Sequence, residues 1–144
     1  MPIRSLKVSF ICVDVGMIVY WTFALFGLFP RDWLFKDYDN PILQAWNYSF
    51  LPLDLLVSLT GFSALFCHAR RLDAWRQLAL VSLTLTSCSG LPAIAFWALR
   101  GDFDVSWWVP NLFLLCYPFY FMPAVMHGRV DPQRRRLEEA TQAP

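Results

Sequence analysis

Two acids stand inside long apolar runs, and their chemistry sets the first questions. Asp14 interrupts Val8–Phe29 and Asp54 interrupts Phe50–Cys67, with no other charge in either stretch. A carboxyl among apolar residues costs on the order of 2.5–3.5 kcal/mol at the centre of a membrane helix. It is therefore kept for a partner, a ligand or a proton. At 1.5 Å per residue, Asp14 counts to roughly 9 Å from one edge of its run and Asp54 to roughly 8 Å from the opposite edge. That separation argues against a carboxylate pair sharing one proton. Each acid is instead expected to meet groups at its own depth: Ser82, Thr84 and Tyr120 for Asp14, and Asn111 for Asp54.

The other residue types capable of chemistry are sparse. Cys12, Cys67, Cys88 and Cys116 fall one per apolar run, with no Cys-x-x-Cys pair, so thiol–disulfide chemistry is not indicated. His68 and His127 end two runs without a carboxylate pattern beside them, which predicts no metal site. No H-E-x-x-H, G-x-S-x-G or glycine-rich phosphate loop occurs, and no cofactor is expected. Nothing here spells out an enzyme.

The elements that position these residues are plain in the composition. The chain has 144 residues, 57% hydrophobic and 17% aromatic, too apolar for an ordinary soluble domain. Four runs carry the excess, and each is near the roughly 20 residues needed to cross a hydrocarbon core about 30 Å thick. In that core a lone segment must satisfy its backbone as a helix. The fold class expected is therefore all-α: a four-helix transmembrane bundle over residues 1–128, with spans near 8–29, 49–68, 77–99 and 107–126. A short basic tail, 129–144, follows. A signal peptide is not expected, because the first run is long and no cleavage site ends it before Pro30.

Nine lysines and arginines fall at the N-terminus, in the second loop and in the tail, against three in the first and third loops. The positive-inside rule then predicts both termini in the cytoplasm and a long first loop outside. The basic clusters flank spans, so they suit lipid headgroups and not nucleic acid. The aromatics of 31–48 suit a segment lying in the outer headgroup layer, with Asn47 or Ser49 capping the next helix.

Helical spacing sorts the polar residues further. Asp54, Ser58 and Gly61 share one face, and Ser82, Thr86 and Ser89 share another, so both faces should meet protein and not lipid. Pro92 should free the carbonyl of Cys88, with Gly90 helping the chain tolerate the break. Asp54, Ser58, Asn111 and Trp97 are the candidate ligand-binding residues. Asp14, Ser82, Thr84 and Tyr120 are candidates for a proton-linked or structural polar group.

FPRDWLFKDYDNPILQAWNYSFLPLDLLVSLTG and CSGLPAIAFWALRGDFDVSWWVPNLFLLCYP closely resemble the YvaD-like family of small bacterial four-span proteins, a domain of unknown function. The resemblance spans Leu6 to Met126 and implies a bacterial cytoplasmic-membrane protein without supplying an activity. The layout is similar, at greater distance, to the emopamil-binding-protein-like group of four-helix sterol isomerases and lipid-ligand receptors. That likeness implies a lipophilic ligand near Asp54, although the isomerases' catalytic histidine has no counterpart in these spans. Three expectations follow: an intramembrane pocket for a lipophilic molecule or lipid, a proton-coupled transporter-like subunit using Asp14, or a structural or regulatory membrane protein. The bilayer is the expected partner.

Overall fold

The computed structural model describes residues 3–30 and 36–128. The tail and the segment 31–35 lie outside them. Five helices follow one another: α1 (Ile3–Leu25), α2 (Pro41–Tyr48), α3 (Leu51–Ala69), α4 (Trp75–Leu99) and α5 (Val105–Met126). No strand occurs among the described residues. Four helical stretches are long and apolar enough to cross a membrane: α1, α2–α3 taken together, α4 and α5. The all-α four-span bundle is borne out.

The span ends are fixed by backbone chemistry. α1 stops before Pro30 because Gly27 turns into the left-handed region (φ 62°) and Leu28 N–H donates to the Phe23 carbonyl at 2.9 Å. This is the Schellman closure that glycine permits without steric cost. Gly101 closes α4 the same way, with Asp102 N–H on the Trp97 carbonyl at 3.0 Å. At the end of α3 the position is Arg71 (φ 57°), and Leu72 N–H reaches the Cys67 carbonyl at 2.9 Å.

The segment before α3 differs from expectation. It is a helix, capped by Asn40, whose Oδ1 accepts from Ile42 N–H at 2.9 Å, with Pro41 in the first turn. Asn47 and Ser49 do not cap α3. Asn47 is buried and Ser49 Oγ donates to the Trp46 carbonyl at 2.6 Å. Ser49 and Phe50 keep right-handed helical angles, so α2 runs almost directly into α3.

Close pairing runs α1–α3, α3–α4 and α4–α5, and α1 with α5 is not among the close pairs. Because lipid is as apolar as leucine, such pairs are held by small residues and interhelical hydrogen bonds. Both are present. Ser58 Oγ donates to the Asp14 carbonyl (3.3 Å), Ser82 Oγ to the Val57 carbonyl (3.4 Å) and Ser87 Oγ to the Leu115 carbonyl (3.2 Å). One serine thus stitches each neighbouring pair. A Cβ on Gly90 would lie 2.6 Å from Leu115 N and 2.7 Å from the Asn111 carbonyl oxygen, so Gly90 marks the crossing of α4 and α5. That is its structural role, in place of easing the break at Pro92. α4 remains one α-helix through that proline.

The bundle has two unlike halves. Away from α2 it is packed solid by Leu6, Phe10, Val57, Leu83, Phe121 and Val125, all nearly or fully inaccessible. Toward α2 it is hollow.

Candidate functional site

The hollow half holds a cavity of about 650 Å³. α1 contributes Met17, Tyr20 and Trp21, α4 contributes Ser89 and Ala93, and α5 contributes Asn111 and Phe113. Asp54 lies on its wall in the first turn of α3, and Trp46 and Asn47 of α2 border it. The lining is mostly aromatic and aliphatic with a few polar groups, the usual make-up of a small-molecule site.

Asp54 is only 8% exposed, and both carboxylate oxygens are engaged. Trp21 Nε1–H donates to Oδ2 at 2.9 Å, and Ser89 Oγ lies 2.6 Å from Oδ1. These bonds join α1, α3 and α4 at one point. Asn111 borders the same cavity, but its Nδ2 donates to the Trp107 carbonyl one turn back (2.8 Å), so the expected Asp54–Asn111 bond is not made. Beside the acid, Tyr20 Oη donates to Asn47 Oδ1 at 3.0 Å and ties α1 to α2.

Trp97 stands elsewhere. It is buried with Leu43 in a smaller cluster beneath α2 and is not among the cavity's lining. Ser58 is also set apart, its hydroxyl on the backbone of Asp14. Trp21 was the residue that sequence reading passed over. It sits among apolar residues, seven positions beyond Asp14 and so on the same face as that acid.

Asp14 occupies a different environment. α1 begins at Ile3, ahead of its apolar run, and Asp14 stands midway along the helix. It has no exposed surface, and neither carboxyl oxygen has a hydrogen-bond partner among the described residues. The carboxyl group fills the space left by the missing side chain of Gly61. Of the partners expected for it, Ser82 is buried nearby on α4 but donates to Val57. Thr84 is exposed and bonds the Leu80 carbonyl at 2.8 Å, and Tyr120 is 68% exposed, so both point away. The helix rotation turns Tyr117 inward instead. Its buried hydroxyl makes no hydrogen bond of normal length, with Thr86 and Asp14 as polar neighbours.

Over the α2 end, two loop segments clasp one another. Arg100 pairs with Asp37 at 2.9 Å and Lys36 with Asp102 at 3.9 Å. Asp104 caps α5, accepting from the Ser106 hydroxyl at 2.5 Å and from Ser106 N–H at 2.7 Å, and these bonds hold its carboxyl below the ordinary range. No group of three metal-ligating side chains occurs among the described residues.

No solved structure matches the chain, and the expected likeness to the emopamil-binding-protein-like group is not shown. The uncharacterised protein YvaD of Bacillus subtilis (strain 168) is 46% identical over 131 residues, covering 90% of this chain and 98% of that protein. The model of a family of unknown function, DUF5360, matches residues 6–132. With that coverage and identity, this multi-pass membrane chain belongs to the DUF5360 family.

Proposed function

We propose that this protein binds a lipophilic small molecule or lipid in the cavity beside Asp54. The observation that carries the reading is the contrast between halves: a bundle able to pack solidly at one end leaves about 650 Å³ open at the other, against a buried carboxyl group. That volume falls within the roughly 300–1,000 Å³ of small-molecule sites. An intramembrane acid is also more often functional than not. The basic-residue distribution orients the chain with both termini in the cytoplasm, which sets the cavity in the outer leaflet of a bacterial cytoplasmic membrane.

For Asp14, the observations favour a structural role over proton coupling. It is absent from the cavity's lining and is packed against Gly61.

Native mass spectrometry of the gently extracted protein tests the reading. Wild type and Asp14→Asn should retain an added mass that Asp54→Asn loses. Retention unaffected by Asp54→Asn, or no retained mass in wild type, would overturn it. Orientation is tested separately by Lys36→Cys, which should react with an impermeant maleimide added outside intact cells.

A further inference from the structure

We propose that the cavity selects a membrane amphiphile whose head donates hydrogen bonds and bears no negative charge, and that this molecule enters sideways between α1 and α5. The inference rests on the ligand-binding reading above and adds the chemistry of the head and the route.

The charge argument comes first. No lysine, arginine or histidine occurs among the described lining residues, and Asp54 is the one carboxylate there. A phosphate or carboxylate head would find no cationic partner among these residues and would leave its charge buried and unpaired beside Asp54. Burying an unpaired charge is costly whichever protonation state Asp54 holds.

The hydrogen-bond argument is independent of charge. Four donors on the lining are spent within the protein: Trp21 and Ser89 on Asp54, Tyr20 on Asn47, and the Asn111 amide on the Trp107 carbonyl. Acceptor capacity is left over. A carboxylate has about four lone-pair sites, and Asp54 uses two of them; Asn111 Oδ1 is a further acceptor. Beside Asp54 those open acceptor positions can take a donating head, a hydroxyl or an ammonium.

The route follows from the pairing of helices. α1 and α5 are not closely paired, and the lining residues they offer there, Cys12 and Gly16 on one side and Pro110 and Phe113 on the other, are exposed. This side of the bundle faces lipid, so a chain already dissolved in the bilayer reaches Asp54 without crossing water. A Cβ at Gly16 would meet nothing within 4 Å. A large side chain can therefore be placed in the opening without disturbing the packed half.

The test uses full-length protein in phosphatidylcholine nanodiscs with three probes carrying a diazirine in the tail: dodecylamine, dodecanol and dodecanoate. Labelling of cavity peptides is read by mass spectrometry. The amine or the alcohol should label at least about tenfold more than dodecanoate, the scale of one unfavourable charge contact in a partly screened site. Asp54→Asn should narrow that gap, and Gly16→Trp should remove cavity labelling by every probe. An amine preference assigns a cationic head and an alcohol preference a neutral one; both support the proposal. Equal labelling by all three probes overturns the head selectivity while leaving a lipophilic pocket intact. Labelling that survives Gly16→Trp overturns the lateral route. No cavity labelling by any probe, or occupation of the opening by a second copy of the chain, overturns both this inference and the ligand-binding reading. Circular dichroism and melting of each variant separate loss of binding from loss of fold.

Discussion

The carboxyl group of Asp14 occupies the position that a Cβ on residue 61 would need: the added carbon would lie 2.7 Å from Asp14 Cγ. α1 and α3 therefore approach at a glycine–acid contact in the middle of the bundle, and the contact is steric, since neither oxygen of Asp14 is hydrogen-bonded. Gly61→Ala should destabilise the protein by about 1–3 kcal/mol, the usual cost of overpacking. In an Asp14→Ala background that penalty should fall toward zero. A double-mutant cycle on thermal unfolding in detergent measures the coupling, and additive effects would contradict the contact.

Gly90 offers a sharper version of the same test. Its neighbours across the interface are backbone atoms of α5, which cannot rotate out of the way. Gly90→Ala should cost about 1–3 kcal/mol or more and resist rescue by any single side-chain change on α5. The measurement is again the melting temperature, with Gly16→Ala as the control expected to change little, because its Cβ meets open space.

Arg71 holds a left-handed conformation that a side chain disfavours by roughly 1–2 kcal/mol. Arg71→Gly should stabilise the α3–α4 turn by up to about 1 kcal/mol, offset in part by the greater freedom of glycine in the unfolded chain. A fall in stability would show that the side chain contributes more than its backbone costs.

Asp104 gives the pH dependence. Its hydrogen bonds to Ser106 stabilise the ionised form, so its folded-state pKa lies below the unfolded value. The cap's contribution is then complete above the ordinary carboxylate value near 4 and lost as pH falls through the lower folded value. Hydrogen exchange at the start of α5 should quicken in that acidic window and in Asp104→Ala at neutral pH. Ser106→Ala should move the onset of fraying to higher pH, since it removes the leading cause of the shift.

The sequence made the spans legible because length and apolarity suffice to recognise a membrane helix. The shared face of Asp54, Ser58 and Gly61 was equally readable, and all three are buried. The partners of the acids were not. Trp21 and Asp54 are 33 residues apart, and their meeting depends on the rotation of α1 against α3, which no single-helix periodicity fixes. The same unknown rotation, in α5, exchanged Tyr120 for Tyr117 beside Asp14. α1 extends back beyond its apolar run to Ile3, through Arg4 and Lys7, so the helix end does not mark the edge of the apolar stretch. The signal for α2 was present in Asn40-Pro41, a cap followed by a first-turn proline, but the aromatics around it place the segment in the headgroup layer without fixing its backbone.

α2 and α3 together form 29 residues of almost unbroken helix, about 43 Å at 1.5 Å per residue, against a hydrocarbon core of about 30 Å. The surplus must stand in the headgroup layer or be absorbed by tilt. Since Trp46 and Asn47 of α2 border the cavity and Asp54 lies a few residues further along the same rod, any tilt that accommodates the surplus moves part of the cavity wall. The thickness of the surrounding bilayer is therefore one of the dimensions of the site.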